Sequence, residues 1–199
     1  MQQEIECKFL DVNHDEIRQK LTEIGAVCEK KMRLMRRVML DHDDNRFQKN
    51  KKQERLRVRD EGYKITVTYK LNDGKSNYPF EVETDVGSFD ETIKLFEAIG
   101  LQTYSYQESK REEWLIGDVE VVLDSWPWIN DYIEIEGPTE NSIKEVAKKL
   151  GFDWNDAKYG SVDTVYEHQY VNFTSDDSIG DVKEVRFGDP LPSLLKKGR

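Results

Sequence analysis

The sequence predicts an α+β fold in which seven or eight antiparallel strands close into a barrel with three helices packed outside. Three observations predict it. A strand with two glutamates on one face recurs as Glu4-Ile5-Glu6, Glu81-Val82-Glu83 and Glu134-Ile135-Glu136. Each is followed by a helical stretch ending in glycine, at Ile24-Gly25, Ile99-Gly100 and Leu150-Gly151. Between these units lie further strands with charged residues at alternate positions. Because strand side chains alternate faces, each such strand has one charged face. Seven or eight antiparallel strands are enough to close a barrel.

Taken in order, residues 2–9 read as the first strand. Asn13 caps a helix whose Ile17, Leu21 and Ile24 form one apolar face, and Gly25 stops it. Residues 31–41 form a basic strand and 43–53 a polar loop. Residues 55–60 and 64–70 make a hairpin around Glu61-Gly62. A turn at Asn72-Asp73-Gly74 leads to a strand over 77–85. Ser88 or Phe89 opens the second helix, with Ile93, Phe96 and Ile99 facing inward. Strands at 103–115 and 118–124 are joined by Gly117-Asp118, and a strand at 131–136 follows Trp126-Pro127-Trp128. Pro138-Thr139 starts the third helix, which buries Ile143, Val146 and Leu150. Beyond 152 the repeat breaks: Ser161 caps a short helix to Tyr166, 182–187 reads as a strand, and Pro190 to Arg199 as a frayed end. The expected organisation is a barrel domain over 1–174 and a partly flexible C-terminal extension over 175–199.

Composition narrows the function. The 199 residues are 37% hydrophobic and 35% charged, with a net charge of -10. That balance argues against a nucleic-acid binder held by a basic surface. No stretch has the length and apolarity of a membrane span, and no signal-peptide pattern is present. Cys7 and Cys28 lack metal-ligand spacing and read as reduced core thiols, which places the protein in the cytoplasm. Asp41, Asp43 and Asn45 do not make a calcium loop, because Arg46 and Lys52 stand where glycine and glutamate are needed. His14, His42 and His168 are isolated. Trp126, Trp128 and Trp154 read as core or rim packing, and Tyr159 and Tyr166 as candidates to close one end of the barrel.

The charged faces hold the functional argument. Arg55, Arg57 and Arg59 share one face; so do Lys64, Thr66, Thr68 and Lys70, and so do Glu120, Val122 and Asp124. A solvated face with cross-strand ion pairs accounts for any one of these strands. It does not account for all, because the helices would then have no apolar surface to dock on. The charges are therefore expected inside. An isolated buried ion pair gains little stability, so many cations and anions together point to a ligand. Arginine and lysine suit phosphate oxygens. Paired carboxylates suit a hard divalent cation that bridges phosphates. The expected ligand is a polyphosphate with Mg²⁺ or Mn²⁺.

Glu4-Ile5-Glu6-Cys7-Lys8 is similar to the ExExK signature of the CYTH superfamily, the triphosphate tunnel metalloenzymes. Leu56-Arg57-Val58-Arg59 resembles that family's LRxR strand, and Thr68-Tyr69-Lys70 its T-x-K strand. Glu81-Val82-Glu83, Leu123-Asp124 and Glu134-Ile135-Glu136 follow in the order of its acidic strands. The resemblance covers about residues 1–155. It implies an eight-stranded closed antiparallel barrel, open as a tunnel that binds triphosphate-containing small molecules. It makes Glu4, Glu6, Glu134 and Glu136 the metal ligands, with Asp124 contributing. Lys8, Arg57, Arg59, Lys70 and Arg111 would hold the phosphates, while Glu4, Lys8 and Arg57 are expected to act in catalysis. Glu81 and Glu83 would bind metal or orient the basic residues. Departures from the family pattern are Pro79 in place of a basic residue, Ser109 two positions before Arg111, and a strand end that keeps only Asp41, with Arg37 a substitute phosphate donor.

The implied function is a metal-dependent hydrolase of inorganic, nucleoside or thiamine triphosphate. A class IV adenylate cyclase making cyclic AMP from ATP is the alternative, and a noncatalytic polyphosphate- or nucleotide-binding protein the second. Cyclase members carry a His-Phe pair upstream of ExExK, where Met1, Gln2 and Gln3 stand here, so hydrolysis is expected, fastest with inorganic triphosphate. Lys8, Arg57 and Lys70 are expected to tolerate truncation, as mutually repelling cations in an empty tunnel.

Overall fold

The computed structural model describes residues 2–3, 5–50, 54–72 and 80–196. Glu4, the first part of the 77–85 strand and Pro79 lie outside the described residues. Along the chain come β1 (Gln2–Gln3), β2 (Glu6–Phe9), α1 (His14–Glu23), β3 (Val27–His42), α2 (Arg46–Lys49), β4 (Glu54–Asp60), β5 (Ile65–Leu71) and β6 (Phe80–Asp85). They are followed by α3 (Phe89–Ala98), β7 (Leu101–Ile116), β8 (Val119–Ser125), β9 (Tyr132–Glu136), α4 (Glu140–Leu150), α5 (Asp163–Gln169), β10 (Glu184–Val185) and α6 (Ser193–Lys196).

The strands form one curled antiparallel sheet in the order β1-β6-β5-β4-β3-β7-β8-β9-β2, with β10 added parallel to β7. Both ends of that order belong to the start of the chain. Gln2 pairs with Glu81 on β6, and Glu6 to Phe9 pair with Glu136 to Ile133 on β9.

The helices form where local signals agree. The Asn13 side chain accepts from the amides of Asp15 and Glu16 at the start of α1. Ser88 caps α3, and Thr139 and Ser142 cap α4 reciprocally. Gly151 ends α4 with φ 87°, a left-handed conformation that glycine adopts without steric cost. Ile17 and Leu21 of α1 and Ile143, Val146 and Leu150 of α4 pack on Cys7, Phe9, Val121, Leu123, Ile133 and Ile135. Those strand residues occupy the face opposite the glutamates, so the apolar side of the sheet points outward to the helices. A smaller cluster joins Val38, Leu40 and Val58 to Phe89, Ile93 and Phe96 of α3.

Several boundaries move. The basic strand begins at Val27, not 31, and the 43–53 loop contains α2. The strand expected over 182–187 shortens to β10, and the short helix after Ser161 runs to Gln169. Ile99 does not face inward: it is 70% exposed, because it caps α3 beyond the last helical turn. Tyr166 is buried in a third cluster with Trp126, Tyr132, Phe173, Ile179, Val185 and Leu195. Its hydroxyl donates to the Pro127 carbonyl at 2.8 Å. Tyr159 packs edge-on against Trp154. Neither tyrosine lines the central cavity. Among the described residues, no helix is long and apolar enough to cross a membrane.

Candidate functional site

The inner face of the sheet encloses a cavity of about 260 Å³ lined mainly by charged side chains. Strand register decides which charges meet. Lys8 lies opposite Glu134, Arg111 opposite Asp124, and Glu136 stands between Glu6 and Glu120 on the neighbouring strands. Across the cavity, Arg57 lies opposite Thr68 and Thr68 opposite Glu83, while Lys70 stands between Arg55 and Glu81.

One side is acidic and internally paired. Lys8 is 1% exposed, with Nζ 3.1 Å from Glu6 and 3.2 Å from Glu134. Burial pulls the Lys8 ammonium pKa down, but Glu134 and Glu6 outweigh it and the net shift is upward. Arg111 makes a bidentate pair with Asp124, at 2.8 and 2.5 Å, and reaches Glu134 at 2.8 Å. Burial works to raise the Glu134 carboxyl, yet Lys8 and Arg111 hold it well below the usual range.

The other side is basic and only partly paired. Arg37 donates to Gln107 at 2.8 Å and lies 4.4 Å from the Trp126 ring centre. Burial first, then Arg57 and Arg59, push its pKa down to about 9. Burial and Arg57 likewise lower Arg59 to about 10, although it pairs with Glu61. Among the described residues, Arg57 has only a 3.9 Å approach to Glu83, which itself accepts from Thr68 at 2.7 Å. Lys70 lies 2.8 Å from Glu81. The Nε atoms of Arg57 and Arg59 are buried without a hydrogen-bond partner among the described residues, an arrangement that costs free energy until an acceptor arrives.

Every expected site residue that the structure describes lines this cavity: Glu6, Lys8, Arg37, Arg57, Arg59, Lys70, Glu81, Glu83, Arg111, Asp124, Glu134 and Glu136. Lys110 projects to the other face, over Phe187. The expectation that Lys8, Arg57 and Lys70 are equivalent, unpartnered cations is corrected: carboxylates hold Lys8 and Lys70, whereas Arg57 is loosely engaged among the described residues. Asp41 serves the backbone, accepting from the amides of Phe47 and Gln48 at 3.0 and 2.9 Å.

A further group was not singled out from sequence. Glu113 takes Lys30 and Arg33 together, and Glu61 accepts from the Tyr63 hydroxyl at 2.9 Å. The signal for Glu113 was the alternation from Ser109 through Arg111. Glu61 was hidden by its place in a turn.

Among the described residues, no three of the His, Cys, Asp and Glu side chains converge as a ready metal cage. The donor chemistry nevertheless fits a hard cation, because Glu6, Glu120 and Glu136 form an all-carboxylate row across three adjacent strands. Lys8 and Arg111 hold the neighbouring Glu134, so a bound cation would compete with them.

Apolar faces turned to outer helices and charged faces turned to an inner cavity define the class: an α+β protein with a charged interior. The chain belongs to the CYTH family, whose domain profile matches residues 2–165. A search of curated proteins finds no match. Among solved structures, PH1012 from Pyrococcus horikoshii OT3 is 25% identical with TM-score 0.63, covering 78% of this chain and 94% of its own. A Vibrio parahaemolyticus protein named "putative adenylate cyclase" is 14% identical with TM-score 0.73, covering 83% and 98%. A Hippeastrum protein named "putative adenylyl cyclase HpAC1", described as having a dominant triphosphatase activity, is 14% identical with TM-score 0.55, covering 83% and 96%.

Proposed function

We propose that this protein is a metal-dependent hydrolase of triphosphate compounds bound within the charged cavity. The observation that carries the reading is the pair of buried Nε donors on Arg57 and Arg59 that have no partner among the described residues, set beside Arg37, whose pKa burial and these two arginines depress. A chain of phosphates offers oxygens to these donors and removes the repulsion among them. The pairing of β1 with β6 and of β2 with β9 supports a sheet closed into a tunnel, which keeps bulk water from the phosphates.

Arg37, Arg57, Arg59 and Lys70 hold the phosphate chain. Lys8 and Arg111 orient the acidic side, where Glu6, Glu120, Glu136 and, by its place in the sequence motif, Glu4 would hold Mg²⁺ or Mn²⁺. When bound, the metal supplies charge neutralisation on the phosphate oxygens and an activated water. In the net reaction, the water oxygen bonds to the terminal phosphorus, and the bond from that phosphorus to the bridging oxygen breaks. Cyclisation demands more, since a ribose 3′-oxygen must sit in line with the α-phosphorus at about 3–3.5 Å.

The test is a panel of inorganic triphosphate, ATP and thiamine triphosphate with Mg²⁺ and Mn²⁺, following orthophosphate, pyrophosphate and cyclic AMP separately. Orthophosphate release that EDTA abolishes and Glu136→Gln lowers at least a hundredfold is expected. Full activity in EDTA, or cyclic AMP as the main product, sinks the proposal.

A further inference from the structure

Arg37 is held differently from the other cations of the cavity. Carboxylates engage Lys8, Lys70 and Arg111. Among the described residues, the contacts that hold the Arg37 guanidinium are neutral: the Gln107 side chain and the Trp126 ring. Gln107 is 2% exposed and lies directly opposite Arg37 in the β3–β7 register. Its Oε1 accepts from Arg37 Nε at 2.8 Å, and its Nε2 donates to Ser105 Oγ at 3.0 Å. The buried Ser105 hydroxyl donates in turn to the Val182 carbonyl at 2.7 Å. Chemistry fixes the direction of this chain. Arg37 Nε can only donate and the Val182 carbonyl can only accept, so reversing the amide would set N–H against N–H.

The far end of the chain is the C-terminal extension, since Val182 lies beyond residues 2–165 that the family profile matches. β7 pairs with β8 from Lys110 onward, and β10 takes up the edge left before that point, with Val185 opposite Gln107. The Tyr106 amide donates to the Lys183 carbonyl at 2.9 Å. Asp163 anchors the same segment upstream, accepting from the Ile179 amide at 2.8 Å and from the Ser178 hydroxyl at 3.1 Å. Trp126, the second support of Arg37, packs in one cluster with Phe173, Ile179, Val185 and Leu195. Both contacts of Arg37 therefore lead to the extension.

We propose that Gln107 is a positioning residue which, braced by the extension through Ser105, aims the Arg37 guanidinium at the phosphate chain. The proposal rests on the triphosphate reading above and adds a residue to it. A carboxylate in the same place would orient Arg37 as well, but it would neutralise the charge and compete with the phosphate. Glutamine accepts one N–H and leaves the charge whole. Because only Nε is engaged, the fork of terminal nitrogens is left for phosphate oxygens. A long, flexible side chain is thus ordered before the ligand arrives, which lowers the cost of binding. The extension matters because it closes the hydrogen-bond chain and covers the edge of β7 where Gln107 stands.

A double-mutant cycle tests this, read by calorimetric titration of the full chain with inorganic triphosphate in EDTA to prevent turnover. Gln107→Met keeps the size of the side chain and removes its hydrogen bonds, and is expected to weaken binding about tenfold. In an Arg37→Met background the same substitution is expected to change binding by roughly twofold or less, having nothing left to position. An equal loss in both backgrounds, or wild-type affinity in Gln107→Met, overturns the proposal and leaves the triphosphate reading standing. Ser105→Ala spares the Arg37–Gln107 bond and cuts the link to Val182. It is expected to weaken binding about threefold and to speed hydrogen exchange at the Tyr106 amide; unchanged affinity overturns the brace. Melting temperatures check folding, and Ser105→Ala takes the place of Gln107→Met in the cycle, with the same pattern expected, if that variant does not fold. If the wild type binds no triphosphate, with or without Mg²⁺, the triphosphate reading fails and the proposal falls with it.

Discussion

Two cations in the same cavity should respond to removal with opposite signs. In Arg37→Met, the depression of the guanidinium pKa from its ordinary value to about 9 corresponds to a folding cost on the order of 5 kcal/mol, fully present at neutral pH. Against it stand the Gln107 hydrogen bond, about 1.5–3 kcal/mol for a charged group, and the Trp126 contact, about 1 kcal/mol. The remainder predicts a variant about 1–2 kcal/mol more stable, with a melting temperature raised by about 2–8 °C for a chain of this length. In Lys8→Met the geometry reverses the outcome, because Glu6 and Glu134 lose a shared, fully buried partner. Breaking a buried pair from one side costs about 3–5 kcal/mol, and Arg111 on Glu134 keeps the loss near the lower value. A fall of about 6–12 °C follows. Thermal melts in low-salt buffer free of polyanions, with urea titrations beside them, measure both. Destabilisation of Arg37→Met to the same degree as Lys8→Met would falsify the claim that the basic side is held strained for a ligand.

Glu113 should shape the acid limb of stability. Burial raises its carboxyl pKa, but hydrogen bonds from Lys30 and Arg33 outweigh that and hold it below the ordinary 4.5. Its contribution is therefore present above pH 4.5 and is lost as pH falls through the depressed folded value. Glu113→Gln should flatten stability between pH 5 and 3, read by urea denaturation; parallel wild-type and variant curves would refute this. Asp163→Ala should cost about 1–3 kcal/mol by leaving buried donors unmet. It should also speed proteolysis within residues 174–182, whereas unchanged cleavage would show that other contacts anchor the extension.

Much of the architecture was legible because two periodicities were clean. Alternation on β2, β4, β8 and β9 put charged and apolar residues on opposite faces, and the helix caps at Asn13, Ser88 and Thr139 marked three entries. Which charges share a cavity was legible for the same reason. Which are paired was not, since pairing depends on register across strands far apart in sequence. Lys8 meets Glu134 only because β2 lies beside β9. The role of the extension was hidden because its contacts are scattered. Val185, Leu195 and Ile179 are buried, yet they follow no helical or strand period. Trp126 was read as packing material and is that, but it also lies under Arg37.

β1 and β2 precede their partners in the chain, which follow at Phe80 and Glu81 and again at Ile133 to Glu136. Until those pairs form, β6 and β9 each present an unpaired edge, the kind of surface that recruits foreign strands. Joining both edges closes loops of large sequence separation, a slow event in folding. β1 and β2 should therefore be among the last strands to settle. During translation the alternating Glu-Lys face of β2 keeps the waiting strand hydrated and gives it little reason to pair with anything else. The charges that line the finished cavity would thus also guard the nascent chain, and hydrogen-exchange pulse labelling should show residues 6–9 gaining protection late.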